Sequence, residues 1–480
     1  MGSRWLWVAV ACLALFAGCL GTSEDIESES TADEPDTGTG VPEVVGHRAD
    51  QLTEPDVEEV AARLIDTGYD ASEPEIGVTS DGAIVSNPST GDESLVISED
   101  HGRSWEQIGS TVHNPKVNLD PWMHVDPDTD RIFNGPLYVA CSHLAWTDDN
   151  GDSWMSNPIA GCGLPAHDHQ KITTGPGAFR NTADAPAEAA DDADGTWVHT
   201  SRDGGQTFTT SARVFEPSPC TSGINGPVEV GPEGTAYLAS PTCTGTEIAV
   251  SHDSGSSWEK TWETDNGMYS GLAIDSDVAT DEEGNVYLFS PGGDGRMHVS
   301  VSQNRGTSFT DPIAVSPPGV NMTVLPLVDA SAEGHVAFAY LGTTDDVSQW
   351  DRPEPSYARE EANWHLYLTT TADALTEEPT FTTIQLTPDE DPVQRGCIWL
   401  KGGGNECRNL LDFNGMVLHE GRPYIAYTDG CDACPEGEQS TNDLHRIAVL
   451  EQGPSLTGGV LDPLVDLQNA SEDESATVVG

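Results

Sequence analysis

Ser98-Glu99-Asp100-His101-Gly102-Arg103-Ser104-Trp105 is the first of five nearly identical segments in this chain. The other copies begin at Thr147, Ser201, Ser251 and Ser302, so the segment recurs about every fifty residues. A constant period of this length is typical of folds built from repeated small sheets. The repeat therefore predicts an all-β protein before any other feature is considered.

Each copy has the side chains of a tight turn between two strands. A carboxylate or amide accepts hydrogen bonds from nearby backbone N–H groups, the Gly two positions later tolerates a positive φ, and a Ser or Thr hydroxyl fixes the same loop. The aromatic residue that closes each copy is predicted to pack between neighbouring repeats. We assign a structural role to the acidic or amide position of the five copies, which is occupied by Asp100, Asp149, Asp203, Asp253 and Asn304.

The repeated segment resembles the Asp-box (BNR) repeat of sialidases and their relatives, and five copies make this resemblance specific. The resemblance implies a β-propeller, in which four-stranded sheets are arranged radially and each sheet protects the edges of its neighbours. Strand patterns that recur without an Asp box after residue 320 raise the predicted number of blades to seven, with six, as in sialidases, as the alternative. The predicted propeller spans residues 46–465.

The two ends of the chain are predicted to lie outside the propeller. Residues 1–18 read as a signal peptide, with Arg4 before an apolar run that ends at Phe16. The sequence that ends at Cys19 resembles a lipobox, which implies lipid attachment at Cys19 and a location on the outer face of the cell membrane; an ordinary cleaved signal is the alternative. Residues 19–45 and 466–480 are acidic and poor in apolar groups, which predicts a disordered stalk and tail.

The charge of the chain excludes one class of function and indicates an environment. Asp and Glu number 80 against 20 Lys and Arg, which gives a formal net charge of −60. Such a chain is not expected to bind nucleic acid. Because the acidity is spread over the whole sequence, and concentrated salt screens it, we expect a salt-loving, haloarchaeal source. An acidic face for a basic partner is the alternative.

The cysteines predict disulfides in an exported protein. Apart from Cys12 and Cys19, eight remain, and they fall into neighbouring pairs. Pairing of nearest neighbours is a hypothesis, since eight cysteines allow 105 connectivities. For the CxxC pair, Cys431 and Cys434, the alternative to a disulfide is a zinc site. We assign no metal and no cofactor, and a structural Ca²⁺ is left open. The predicted disulfides are Cys141–Cys162, Cys220–Cys243, Cys397–Cys407 and Cys431–Cys434.

Residues that open the innermost strand of each repeat are predicted to ring the mouth of the central channel. In the Asp-box family this mouth lies on the face away from the Asp boxes, and that face carries the ligand site. Carboxylates and imidazoles there suit a hard cation or proton transfer, whereas satisfied polar groups that merely cap the channel are the alternative reading. The predicted ring is Glu73, Glu75, Asp120, Trp122, His124, His167, Asp168, His169, Asn225, Asp275, Asp277, Asp412 and Asn414.

A second candidate site lies in the segment 394–413, which concentrates positive charge in an otherwise acidic chain. Arg395, Lys401 and Arg408 lie there beside Trp399 and a Gly run. Such a pocket would select an anionic ligand. The alternative is that the two arginines neutralise neighbouring carboxylates.

The catalytic residues of sialidases find no match in this sequence. Sialidases bind the substrate carboxylate with three arginines, the first in an Arg-Ile-Pro motif, and that motif is absent here. We therefore expect a monomeric, surface-tethered propeller that binds an extracellular glycan or protein without demonstrable catalysis, and the sequence leaves open whether it is an enzyme. The alternatives are a sialidase-like hydrolase of anionic glycans and a scaffold subunit of a membrane-associated assembly. Asn321 and Asn469 begin Asn-X-Ser/Thr sequences that can carry glycans.

Overall fold

The computed structural model describes residues 44–55, 59–71, 73–88, 95–108, 122–135, 137–138, 141–162, 168–176, 179–184, 195–216, 225–265, 267, 276–345, 362–399, 407–431, 434–435, 438–462 and 464. These residues belong to one compact unit that spans Asp36–Gly480. They form strands and turns, with no helix among them. The predicted signal peptide and acidic tail, Cys19 and Asn469 lie outside the described residues, as does all of the predicted stalk except its last two residues.

Among the described residues, no helical segment has the length and apolarity needed to cross a membrane.

Three strands precede the first repeat and do not belong to it. They are β1 (Val44–Arg48), β2 (Gln51–Thr53) and β3 (Ala61–Asp70).

The first three repeats form separate antiparallel sheets, which we call sheets 1 to 3 in chain order. Sheet 1 contains β4 (Ile76–Val78), β5 (Ile84–Ser86), β6 (Val96–Ser98) and β7 (Glu106–Gln107). Sheet 2 contains β8 (Met123–Val125), β9 (Ile132–Asn134), β10 (Leu137–Tyr138), β11 (Cys141–Thr147) and β12 (Met155–Cys162). Sheet 3 contains β13 (Asp168–Thr173), β14 (Phe179–Asp184), β15 (Thr196–Ser201) and β16 (Thr210–Phe215).

The remaining repeats form sheets 4 to 7. Sheet 4 contains β17 (Glu229–Val230), β18 (Ala236–Pro241), β19 (Thr246–Ser251) and β20 (Glu259–Glu263). Sheet 5 contains β21 (Asp277–Thr280), β22 (Val286–Pro291), β23 (Met297–Ser302) and β24 (Ile313–Ala314). Sheet 6 contains β25 (Met322–Ala330), β26 (Val336–Thr343), β27 (Asn363–Thr371), β28 (Phe381–Gln385) and β29 (Gln394–Arg395), and sheet 7 contains β30 (Gly415–His419), β31 (Arg422–Asp429) and β32 (Leu444–Gln452).

The prediction that every unit has four strands is wrong for two of these sheets. Five sheets have four strands, whereas sheet 2 has five and sheet 6 has seven. Sheet 6 is larger because β1 pairs with its outer strand β28, β2 pairs with β1, and β29 pairs with β27. The all-β β-propeller architecture that the repeat predicts is present.

The N-terminal part of the chain completes the last sheet. β3 pairs with β32, so that Ala61 lies opposite Gln452 and Asp70 opposite Leu444. The third and fourth strands of sheet 7 therefore come from opposite ends of the chain and have no turn between them. This connectivity is the physical reason why sheet 7 has no Asp box.

The Asp boxes connect the third and fourth strands of sheets 1, 3, 4 and 5, and in sheet 2 the Asp box connects β11 to β12, because the extra strand β10 precedes β11. In the fourth copy, Asp253 Oδ1 accepts hydrogen bonds from the Ser257 amide at 2.8 Å and the Ser251 hydroxyl at 3.0 Å, and its Oδ2 accepts one from the Ser257 hydroxyl at 2.7 Å. In the fifth copy, Asn304 Oδ1 accepts the equivalent amide bond from Ser308 at 2.9 Å. The Asn304 Nδ2 then donates to the Ser308 hydroxyl at 2.8 Å, so the same turn forms around an uncharged side chain.

The aromatic residue of each Asp box packs into the hydrophobic contact between its own sheet and the preceding one. Trp154, for example, packs against a cluster that joins Ile97 of sheet 1 to Met123 of sheet 2. The Gly of the turn allows the same close approach: in the fifth copy Gly306 has a φ of 75°, and a Cβ there would lie 2.8 Å from Val250 Cγ2 of sheet 4. The five aromatics are Trp105, Trp154, Phe208, Trp258 and Phe309.

Sheet 6 contains a sixth turn of this kind, which the sequence pattern does not reveal. The Thr371 hydroxyl donates to Asp373 Oδ1 at 2.8 Å, and the Thr380 amide donates to the same oxygen at 2.8 Å. The two bonds match those of an Asp box, but the second donor lies three residues further along the chain than in the five copies. These three extra residues make the motif unrecognisable in the sequence, although the Asp373 carboxylate still accepts the hydrogen bonds that hold the turn.

We expect replacement of Asp253 by Ala to lower the free energy of unfolding by about 1–3 kcal/mol, because three hydrogen bonds of the turn are lost. The matched control is Asp253→Asn, which should cost much less, since Asn304 already makes equivalent bonds in the fifth copy. Denaturant unfolding in molar KCl measures both variants. An equal loss in the two variants would mean that the charge, and not the hydrogen bonding, stabilises the turn.

Candidate ligand-binding site in the central channel

The innermost strands of the seven sheets surround a cavity of about 460 Å³. Neighbouring inner strands contact each other in two runs. In the first run β4 contacts β8, and β8 contacts β13. In the second run β17 contacts β21, β21 contacts β25, β25 contacts β30, and β30 contacts β4. The step from β13 to the segment before β17 is bridged by a hydrogen bond from Lys171 to the Asn225 carbonyl. The channel is therefore enclosed by a closed ring of strands.

Five residues of the predicted ring line this cavity: Glu75, Trp122, His124, Asp277 and Asn414. Asn225 is also buried, and it lies at the end of the Lys171 hydrogen bond. Trp122 is buried, and its indole N–H donates to the Ile172 carbonyl of sheet 3 at 3.2 Å. The predicted Asp120, His167 and Asp275 lie outside the described residues, and Asp168 and His169 are described as backbone of β13 only.

A buried lysine that sequence reasoning missed lies between two aromatic rings of the channel. Lys171 Nζ is 5.4 Å from the centre of the Trp122 ring and 5.2 Å from that of Phe413, and only 2% of the residue is exposed. Both distances are within the range of cation–π attraction. The sequence feature that could have indicated this residue is composition, because Lys171 is one of only four lysines in a chain of 480 residues.

Most carboxylates of the channel hold neighbouring sheets together. Asp277 accepts hydrogen bonds from the backbone amides of Val278 and of Val328 in sheet 6, both at 2.9 Å. Asp329, which the sequence analysis did not single out, accepts from the amides of Ala330 at 2.8 Å and of Leu418 in sheet 7 at 2.7 Å. All four bonds engage carboxylate oxygens, so the two carboxylates act as links from one sheet to the next.

Glu229, also missed by sequence reasoning, makes the same kind of link from sheet 4 to sheet 5. Its Oε1 accepts hydrogen bonds from the Thr280 hydroxyl at 2.6 Å and the Thr280 amide at 3.2 Å. Desolvation in the channel wall raises the pKa of Glu229 to about 8, helped by the charges of Asp329 and Asp277 and opposed by the Thr280 hydrogen bonds. Desolvation likewise raises the pKa of Asp329 to about 6.

His124 is a neutral group in this channel at ordinary pH. Its Nε2 lies 2.8 Å from the hydroxyl of Thr174, the residue that follows β13. Burial lowers the pKa of His124 to about 4, although the charge of Asp126 opposes the shift. The imidazole therefore serves as a hydrogen-bonding link and adds no positive charge to the channel.

Glu75 and Asn414 both line the cavity and have free hydrogen-bonding capacity. Asn414 is 3% exposed, and its Oδ1 accepts the Thr428 amide at 3.1 Å, which leaves Nδ2 without a partner among the described residues. The Glu75 carboxyl lies against Gly415, where a Cβ would meet its Cδ at 3.0 Å. Burial raises the pKa of Glu75 well above its usual value; the Lys171 charge opposes this shift, and the charge of Asp277 adds to it.

The second candidate site, in segment 394–413, has its two described arginines engaged inside the protein. Arg395 is 8% exposed, and its guanidinium donates to Asn363 Oδ1 at 2.9 Å and to the Glu390 carbonyl at 2.8 Å. Arg408 pairs with Asp412, whose side chain is almost fully buried. Trp399 is half-buried, its amide donates to the Cys407 carbonyl, and Lys401 lies outside the described residues.

Two of the predicted disulfides are present on the face away from the Asp boxes. Cys397–Cys407 has a Cα–Cα distance of 5.3 Å and lies in the crossover to sheet 7, and Cys431–Cys434 has a distance of 5.1 Å and follows β31. Cys243 is disulfide-bonded, and its predicted partner Cys220 lies outside the described residues. The Cα atoms of Cys141 and Cys162 are paired across β11 and β12.

No group of three or more His, Cys, Asp or Glu side chains in the described part of the chain is arranged to hold a metal ion. The channel carboxylates illustrate the reason, because their oxygens accept hydrogen bonds from backbone amides. Asn321 is exposed, and its side-chain amide donates to the carbonyls of Thr344 at 2.6 Å and Asp345 at 3.2 Å.

Comparison with known proteins identifies the fold only. No protein-family model matches this sequence, and no curated protein matches it. Solved structures with a similar fold include the BP39L lectin of Burkholderia pseudomallei, at 12% identity and a TM-score of 0.50, over 82% of this chain and 99% of the lectin. A leech intramolecular trans-sialidase is 12% identical with a TM-score of 0.40, over 82% of this chain and 70% of that protein. An α-L-arabinanase of Penicillium chrysogenum is 11% identical with a TM-score of 0.38, over 68% of this chain and 98% of that protein.

The similarity to the lectin agrees with the all-β β-propeller described above. Identities this low show nothing about the ligand or the reaction of this chain.

We expect Arg395→Ala to lower the free energy of unfolding by about 1–3 kcal/mol, because it removes two hydrogen bonds made by a buried guanidinium. The matched control is Arg48→Ala, since Arg48 makes one exposed hydrogen bond, to Thr380 at 3.0 Å, and should matter little. Thermal unfolding in molar KCl measures both. An unchanged melting temperature for Arg395→Ala would contradict the structural role and make ligand binding the better account of this arginine.

We expect the stability of the protein to fall as the pH rises through the folded-state pKa of Glu229, about 8. A carboxyl whose pKa is raised on folding stabilises the fold below its unfolded pKa, near 4.5, and loses that contribution as pH rises through the folded value. Glu229→Gln should match the wild type near pH 5 and exceed it near pH 9, measured by denaturant unfolding. Glu282→Gln, on an exposed turn, is the control; identical pH profiles for Glu229→Gln and wild type would contradict this assignment.

Proposed function

We propose that this protein is an exported binding protein whose propeller holds an extracellular glycan or protein without cleaving it. The observation that carries the proposal is the engagement of the channel carboxylates. Asp277 and Asp329 each accept two backbone amide hydrogen bonds, and Glu229 is held by Thr280. Groups held in this way position the sheets and are poorly placed to exchange protons with a substrate.

A sialidase-like hydrolase of anionic glycans is the weaker reading of the same site. Most glycoside hydrolases use two carboxyl groups about 5–9 Å apart beside the scissile bond, whereas sialidases use a Tyr nucleophile. No Tyr belongs to the described lining of the cavity. Glu75 has a carboxyl with a raised pKa, but the other described carboxylates of the channel accept hydrogen bonds that link neighbouring sheets. Arg395 and Arg408, the arginines considered for binding an anion, are engaged in internal contacts.

The finer architecture belongs to the same proposal. We infer that the seven sheets act as seven blades, because inner strands from all seven line one cavity. The Cα pairing of Cys141 with Cys162 supports a disulfide there, and Cys220 is proposed as the partner of Cys243. The acidic composition supports a salt-loving source.

The same proposal places the protein at the outer surface of the cell membrane. The lipobox-like sequence that ends at Cys19 supports a lipid anchor there, and the acidic segment after it supports a tether. The propeller would then act as a monomer on that tether.

The proposal is tested by incubating the protein, in molar KCl, with polysaccharides released from the envelope of its source organism. Retention of the polysaccharide and the mass of the products are followed together. Retention without shortened products is the expected result. Shortened products would replace the proposal by the hydrolase, and neither retention nor cleavage would leave the scaffold role as the better account.

A further inference from the structure

The central cavity is large enough to hold a small ligand, and this inference rests on the binding function proposed above. Its volume of about 460 Å³ lies within the range of roughly 300–1,000 Å³ that ligand pockets occupy. It is lined by polar groups from several sheets as well as by apolar ones. The chemistry of the lining groups therefore decides which ligand fits.

The side-chain amide of Asn414 provides a hydrogen-bond donor for a ligand. The orientation of this amide is fixed, because the Thr428 amide must donate to an oxygen and occupies Oδ1. Nδ2 then has no partner among the described residues, although 97% of the residue is withdrawn from solvent. Because Asn414 lines the cavity and its Nδ2 is not among the atoms shut off from solvent, a ligand that carries an acceptor oxygen can reach this donor and accept its hydrogen bond.

Glu75 provides a second group that is suited to a neutral ligand. Its backbone amide donates to Asn87 Oδ1 at 2.7 Å, and its carboxyl, which lies against Gly415, the residue after Asn414, has no hydrogen-bond partner among the described residues. Burial raises the pKa of this carboxyl well above its usual value. A carboxyl accepts hydrogen bonds in either protonation state and also donates one when protonated, which matches a hydroxyl group.

The charges of the cavity disfavour an anionic ligand. The one lysine of the described lining, Lys171, is enclosed by Trp122 and Phe413 and donates to the Asn225 carbonyl. Glu75 and Glu229 are acidic members of the lining whose raised pKa values favour the neutral form. The other three, Asp130, Asp277 and Asp329, still outnumber the lysine, and His124 adds no positive charge.

We propose that the central cavity binds a neutral, hydroxyl-rich ligand, a neutral carbohydrate unit, through Asn414 and Glu75. The ligand places an acceptor oxygen at Asn414 Nδ2 and a hydroxyl at the Glu75 carboxyl. This assignment reverses the expectation from segment 394–413, where the arginines that suggested an anionic ligand are used inside the protein.

The experiment compares three sets of oligosaccharides of matched length: neutral oligomers of glucose, mannose and galactose, uronate oligomers, and amino-sugar oligomers. Binding to the full-length protein in molar KCl is measured by saturation-transfer NMR and by the fluorescence of the buried tryptophans. At least one neutral oligomer is expected to bind about tenfold or more tightly than its uronate and amino-sugar counterparts.

Variants connect the binding to the proposed groups. Asn414→Asp keeps the acceptor for the Thr428 amide and replaces the free donor, so it should weaken binding of the neutral oligomer about tenfold or more. Glu75→Ala gives a second measurement if Asn414→Asp does not fold. Glu282→Gln, on an exposed turn, is the control and should leave binding unchanged.

The outcomes separate this inference from the proposed function. Preference for the uronate or the amino-sugar oligomers overturns the ligand class and leaves the binding function standing. Neutral binding that survives both Asn414→Asp and Glu75→Ala overturns the site. Absence of binding to all three sets overturns the ligand class, and the envelope polysaccharide retention experiment then decides the binding function separately.

Discussion

Closure of the ring of sheets is the constraint on which the rest of this structure depends. Each small sheet has two faces to cover and edges to protect, and it can do so only by packing between two neighbours. The ring closes through β3, an N-terminal strand that pairs with β32 near the other end of the chain. Sheet 7 therefore joins the two ends of the fold and fixes the circumference of the channel.

Two layers of contacts hold successive sheets together at different radii. Toward the outside, the aromatic residue of each Asp box packs into the hydrophobic contact with the preceding sheet, as Trp154 does between sheets 1 and 2. At the channel, carboxylates accept hydrogen bonds from backbone amides of the next sheet, as Asp277 does from the Val328 amide. The outer layer is apolar and is little affected by pH, whereas the inner layer consists of desolvated acids whose protonation changes with pH.

This division explains why candidate site residues were hard to read from the sequence. Asp277 and Trp122 lie at the channel as expected, but their hydrogen bonds link sheets instead of facing a ligand. Arg395 was a binding candidate because cations are rare in this chain, yet its guanidinium is buried in internal hydrogen bonds. Lys171 was overlooked because one lysine in a strand has no pattern, although two aromatic rings and a carbonyl hold it in the channel wall.

The sequence by itself determined the repeat, the Asp-box turns and the all-β propeller, because turn chemistry is local: a carboxylate or amide, a Gly and a hydroxyl within seven residues suffice. It could not give the strand numbers of sheets 2 and 6, the pairing of β3 with β32, or the turn around Asp373, whose insertion breaks the pattern. Only the tertiary structure decided which polar groups of the channel are already paired. That distinction depends on partners about fifty or more residues away, as in the pairing of Asp277 with Val328, and residue type alone does not encode it.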